Sequence, residues 1–168
     1  LTAQRVITIT PAASPPPHAA LVAGTAYDFG PSGTFAQPVT LRLQYDAAAA
    51  AGKDPSLFRV HRGDGTAWVP LVGSTVDTAT RTVTGATGSF SLYAVVGLPA
   101  LGLSAAPAAL SVRQNASGTS TVTLMRTHFG GDVTLALEGA TGGVSGTFTP
   151  SPSPGGSATL TLQVPGST

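Results

Sequence analysis

VTGATGSFSLYAVV, residues Val83 to Val96, starts as a Val-Thr alternation, passes a small Gly88-Ser89 corner and ends in an apolar run from Leu92 to Val96. Alternation at period two, followed by a short continuous apolar run, is the pattern of a strand that passes from a half-exposed face into a buried core. The same letters raise a second question: does Ser89-Phe90-Ser91 mark a self-cleaving nucleophile, or only the last strand of a sandwich?

Outward from this stretch the period-two pattern recurs in RVITIT, PVTLRLQY, LFRVHR, TAWVPLV, RTVTGA, ALSVRQ, STVTLMR, DVTLALEG and ATLTLQV. Each sets Val, Leu, Ile or Phe on one face and Thr, Arg, Ser or Gln on the other. The breaks ASPPPH, FGPSG, RGDG, LVGSTVDTAT, FGGD, TGGVSG and PSPSPGG carry turn chemistry. Short strands about 8 to 12 residues apart predict an all-β chain of antiparallel sheets, in sandwiches or barrels. One helical candidate interrupts the pattern, Asp46 to Leu57, with Asp46 as a cap, an Ala run, and Gly52 and Pro55 to end it. It is short enough to amount to a turn or two across a sheet edge.

The pattern lapses into Pro, Gly and Ala over Gly97 to Leu110 and then restarts, which places one domain at residues 1–97 and a second at 98–168. The chain of 168 residues is 42% hydrophobic and 9% charged, against roughly 25% charged in an average soluble domain, so Thr, Ser, Gln and backbone must carry solubility. No apolar run approaches the roughly 18 residues that a membrane-spanning helix needs, so no membrane insertion is expected. Net charge is +1 with Lys53 the only Lys, so no basic stripe gathers phosphates and nucleic acid is not an expected partner. Cys is absent, which removes disulfides, thiolate metal sites and Cys nucleophiles, and fits an extracellular bacterial protein that uses no disulfides. The opening LTAQRVITIT has neither an initiator Met nor the order of a signal peptide, so an export signal is expected upstream or already removed.

Four segments carry a resemblance: ITITPA (Ile7 to Ala12), GTAYDFGPSGTFAQPVTLRLQYD (Gly24 to Asp46), KDPSLFRVHRGDGTAWVPL (Lys53 to Leu71) and VDTATRTVTGATGSFSLYAVV (Val76 to Val96). Over nearly all of residues 1–97 the chain resembles the ZU-type sandwich domain of bacterial secreted and surface proteins, related to that of ankyrins, netrin receptors and tight-junction scaffolds. Leu110 to Val112, Gly118 to Leu124, Gly130 to Leu135, Val144 to Pro150 and Ala158 to Val164 look like successive strands of the immunoglobulin-like repeats of bacterial exported proteins. The resemblances imply two antiparallel sandwiches in tandem. They also imply an internal fragment: the first family begins with a further strand, and the repeat family carries two more after Val164. Such a fragment is either a proteolytic product or a module whose bare edges pair with another chain.

Relatives of the first family cut themselves at His-Phe-Ser, and Phe90 and Ser91 match that motif, but Ser89 stands in place of the His. Without a general base the Ser91 hydroxyl is a poor nucleophile, so the reading is Phe90 in the core and Ser91 facing out. Arg62-Gly63-Asp64 spells an integrin-read tripeptide and is equally a hairpin turn. Asn115-Ala116-Ser117 fits an N-glycosylation acceptor in a loop. The carboxylates Asp28, Asp46, Asp54, Asp64, Asp77, Asp132 and Glu138 form no calcium-loop register or glycosidase pair, and Asp28 and Asp77 read as turn residues. His18, His61 and His128 lie on unrelated segments, so no metal and no cofactor is expected. Trp68, Tyr27, Tyr45 and Tyr93 are the residues from which a sugar platform would be made, but a single mid-strand Trp in a sandwich is usually core.

The expected role is therefore a non-catalytic extracellular or cell-surface module of a bacterial protein, a spacer, scaffold or assembly subunit. Its partners would be neighbouring domains and possible strand-edge contacts with other copies; the alternative is an adhesion or carbohydrate-binding module. An enzyme ranks third, because no nucleophile, base and orienter combine.

Overall fold

The computed structural model describes residues 6–166; Leu1 to Arg5, including the Arg that opens RVITIT, lie outside the described residues. The described chain is all-β, with two antiparallel sheets consistent with sandwich packing. It divides into two compact units, Leu1–Pro99 and Ala100–Thr168.

The first unit contains β1 (Thr8–Pro11), β2 (Tyr27–Gln44), β3 (Phe58–Gly63), β4 (Trp68–Pro70), β5 (Thr75–Asp77) and β6 (Thr82–Gly97). The order is β1-β2-β6-β3-β4, with β5 also on β6, so Val83 to Val96 lies in the central strand. Its apolar end is buried on both faces: Tyr93 and Val95 enter one cluster with Val22, Phe29, Leu41, Leu43, Phe58 and Val60, while Ala94 and Val96 enter another with Ala20 and Trp68. Burial on two sides explains why alternation gives way there to a continuous apolar run.

The segment after β1 supplies the second cover. Val22 N–H donates to Val95 O at 3.0 Å and Gly97 N–H to Ala20 O at 3.0 Å, continuing the ladder past the start of β2. In the gap the Thr25 hydroxyl accepts from Val95 N–H and donates to Val22 O. The sheet then folds over itself. Ser74 Oγ accepts from Val60 N–H on β3 at 2.8 Å and donates to Thr84 O on the first half of β6 at 2.9 Å. At Gly85 an added Cβ would lie 3.0 Å from Val60 Cβ, so the two halves of the sheet meet where only hydrogen fits.

Four sequence readings in this unit are corrected. FGPSG is not a turn between strands: it lies inside β2, which absorbs it through register shifts at Asp28/Gly33 and Thr34/Val39. Asp28 is accordingly a strand residue opposite Leu92 and Thr10. The LVGSTVDTAT break contains β5. The Asp46 to Leu57 candidate forms no α-helix: Ala50 N–H reaches Asp46 O at 3.1 Å in a single closure, Gly52 turns out at φ +73°, and a 3₁₀ turn follows at Pro55–Leu57. One turn cannot repay helix nucleation, and Ala50 packs into the core instead.

The second unit contains β7 (Ala100–Ala106), β8 (Ala116–Thr127), β9 (Ser145–Thr149) and β10 (Ser157–Val164), ordered β7-β8-β10-β9. Val122, Leu124 and Ala158 are buried on one face, with Val122 directly opposite Ala158. Val133 and Ser153, both buried, exchange backbone bonds of 3.0 and 2.8 Å. Arg126 fastens the surrounding loops, donating to Gly155 O at 3.1 Å, to Ser153 O at 2.8 Å and to Gly131 O, with its guanidinium 5.6 Å from the Phe129 ring centroid.

Here too the strand assignments shift. The Pro- and Ala-bearing stretch read as a linker holds β7, whose alternation of Leu101 and Leu103 with Gly102 and Ser104 has too little contrast to stand out. Leu110 to Val112 forms no strand; both residues instead close over Gly118, where an added Cβ would lie 2.6 Å from Val112 Cγ2. Of Gly130 to Leu135 only Val133 makes a bridge.

Candidate functional site

Around Ser89-Phe90-Ser91 the geometry is that of a braced corner. Phe90 packs with ring centroids 4.5 Å from Phe35 and 5.8 Å from Phe29. Tyr93, fully buried, donates its hydroxyl to Ser89 O at 2.6 Å, and the Thr87 hydroxyl, 2.7 Å from the Tyr93 oxygen, accepts from Ser89 N–H. Ser91 is half-buried at a register shift between β2 and β6, and no hydrogen bond joins it to a His among the described residues. His61 stands opposite Ala94, buried, with Nδ1 3.1 Å from Arg59 O; a carbonyl only accepts, so Nδ1 carries the proton. Burial pushes the His61 pKa down, with the nearby charges of His18 and Arg59 acting in the same direction and the Arg59 carbonyl opposing them.

Arg62 is exposed at the end of β3, but the Asp64 carboxylate is taken up by its own turn, accepting from Ala67 N–H at 2.7 Å and Thr66 N–H at 3.1 Å. Those two bonds hold the Asp64 carboxyl below its usual range. Gly63 is buried, and a Cβ there would come 2.9 Å from Leu92 Cδ2. Asp77 behaves the same way, accepting from Ala79 and Thr80 N–H, with its pKa lowered by Thr80 first. Asn115 is exposed at φ +60° just before β8, at the rim of a polar cleft with Gly143, Ser145, Gln163 and Pro165.

Trp68 is 8% exposed and donates Nε1–H to Pro16 O at 2.8 Å, which takes it out of any sugar-binding surface; Tyr93 and Tyr45 are buried as well. The described residues contain no group of three His, Cys, Asp or Glu side chains placed to share a metal ion.

Sequence reasoning missed a feature of the first unit. β1 pairs only with Tyr27 to Gly30 of β2, and β2 from Val39 to Gln44 pairs with β6 alone, so its other edge carries no strand among the described residues. Two adjoining hollows follow this edge. One, of ≈ 270 Å³, is lined by Ile7, Ile9, Phe29, Val39, Leu41 and Phe90, and the other, of ≈ 450 Å³, by Ile9, Tyr27, Phe29, Leu43, Gln44 and Thr82; Arg42 borders both. The Ile7/Ile9 alternation marks an apolar face, but which edge lacks a partner is set by strand order and has no local signal in the sequence.

Comparison of the chain with protein-family models, with curated proteins and with solved structures gives no match.

Proposed function

We propose that this chain is a non-catalytic structural module, a spacer or scaffold built from two immunoglobulin-like sandwiches in tandem, the first of ZU type, in a bacterial cell-surface or extracellular protein. The observation that carries this reading is where the polar side chains go. Thr25, Ser74, Asp64, Asp77, Thr87, Tyr93 and Arg126 each bind main-chain N–H or C=O groups. Side chains spent on the backbone hold a shape and leave little for chemistry on a substrate. The low charge and Thr-rich outer faces suit packing beside like modules without strong repulsion. The adhesion and carbohydrate-binding reading loses its best residue with the burial of Trp68.

Pulling the single chain by handles at its two ends tests the proposal. A load-bearing spacer extends in discrete, repeatable unfolding steps, one for each unit, and recovers them on relaxation. Smooth extension without steps contradicts a mechanical role.

A further inference from the structure

Ile9 and Phe29 are cross-strand partners on one face of the first sheet, yet Phe29 is 7% exposed and Ile9 58%. Two residues farther along the same face of the chain, Ile7 is also 58% exposed. These side chains project toward the core side of the sheet and are left uncovered there. Facing them across the hollow is the edge of β2 from Val39 to Gln44, which carries no strand among the described residues, with Val39, Leu41 and Leu43 turned inward and Thr40, Arg42 and Gln44 turned out. An open backbone edge beside an apolar floor is the arrangement that accepts an added strand, main-chain bonds giving affinity and alternate side chains giving selectivity.

The charge on this edge narrows the occupant. Arg42 has uncharged Thr84 opposite it on β6, and no ion pair or hydrogen bond among the described residues. On a strand added to the other side, the residue directly across from Arg42 would sit within about 5.5 Å Cβ to Cβ, on the solvent face, where an opposite charge stabilises and a like charge destabilises. Its neighbours would fall across from Leu41 and Leu43 and point into the hollow floored by Phe29.

We propose that the β2 edge from Val39 to Gln44, with Ile7, Ile9 and Phe29 behind it, is a docking groove for an extended strand of another polypeptide that carries an acidic residue opposite Arg42 and β-branched or aliphatic residues on either side of it. This goes beyond the scaffold reading, since it assigns a partner chemistry and a register and does not depend on what the module spaces apart.

The probe is fluorescein-labelled Thr-Val-Glu-Val-Thr-Val-Thr-amide, titrated at nanomolar probe concentration against the whole chain, beside the same peptide with Lys in place of Glu. Anisotropy reads affinity, and amide exchange reads location. The proposal expects the Glu peptide to bind roughly threefold or more tightly than the Lys peptide, and the preference to invert in Arg42→Glu. New protection should appear at alternate amides of Val39 to Gln44. Ile9→Lys, at an exposed position in the groove wall, should weaken both peptides. If Arg42→Glu fails to fold, the two peptides on the natural chain and on Arg42→Ala decide the question: the Glu preference must be present in the first and lost in the second. Absence of binding at millimolar chain, equal affinity of the two peptides, or protection confined to β7 overturns the proposal. So does protection of the β2 edge by concentration-dependent dimers without peptide, which would make a second copy the occupant.

Discussion

The Tyr93 hydroxyl donates to the Ser89 carbonyl at 2.6 Å, across the corner that the sequence places between the alternating and the apolar halves of β6. The bond lies inside the protein, since Tyr93 is fully buried, and Thr87 completes it. Tyr93→Phe leaves the ring in place and removes one of two donors to the part-buried Ser89 carbonyl, the Thr87 hydroxyl being the other at 2.9 Å. The expected cost is about 0.5–1.5 kcal/mol, read as a lower urea midpoint with unchanged slope for the first unit.

Gly85 sits where the folded sheet meets itself, with Val60 Cβ 3.0 Å and Leu71 Cδ1 3.1 Å from the place of an added Cβ. Gly85→Ala overpacks this contact and should destabilise by about 1–3 kcal/mol. Gly88, where an added Cβ meets nothing within 4 Å, is the control, and Gly88→Ala should cost clearly less in the same denaturation experiment.

In the second unit Arg126 satisfies three carbonyls that come from two loops. Lysine keeps the charge but has no planar fork, so Arg126→Lys should loosen those loops and lower the stability of this unit by about 2 kcal/mol. Exchange rates at Val133 and Ser153 should rise, with amides of β6 unaffected.

Acid should weaken the first unit in two stages. Burial lowers the folded-state pKa of His61 below its ordinary 6.5, so the unfolded chain takes up the proton first. The stability from keeping His61 neutral is therefore complete above about pH 6.5 and is lost as pH falls through the folded value. Asp64 and Asp77, also lowered, act in the same sense farther down: their contribution is present above the ordinary 3.8 and is lost below it. Melting temperatures measured from about pH 8 to about pH 3 should fall toward acid, and His61→Gln should flatten the upper stage alone. A rise in melting temperature between neutral pH and about pH 5 would contradict the sign.

Ser91→Ala should leave the chain intact by mass spectrometry and change its stability by no more than about 0.5 kcal/mol, because the hydroxyl has no hydrogen-bond partner among the described residues. Disappearance of a cleavage product in the variant, at the Phe90-Ser91 bond, would restore the nucleophile reading.

Much of the architecture was legible because side chains on opposite faces of a strand meet different surroundings. β6, β8 and β10 stand out by that contrast, whereas β9 was marked only by the resemblance over Val144 to Pro150. The contrast faded where both faces carry small residues, as in β7, and where a strand absorbs its own Gly and Pro through register shifts, as β2 does at Gly30 to Gly33. The candidate site was less legible for a different reason. The motifs that stand out as letters, Arg62-Gly63-Asp64 among them, resolve into turn chemistry once Asp64 is seen bonded to Thr66 and Ala67. The groove beside β2 depends on which edge lacks a partner, and strand order is a long-range property that local periodicity does not contain.

Native-state hydrogen exchange of the isolated chain tests most directly the claim that β6 is the centre of a braced scaffold in which the Val39 to Gln44 edge of β2 carries no strand among the described residues. The account predicts the slowest amides along Tyr93 to Gly97, and within Val39 to Gln44 a fast-slow alternation in which every second amide faces β6 and the others face solvent. Uniformly slow exchange from Val39 to Gln44, or fast exchange along Tyr93 to Gly97, would contradict it.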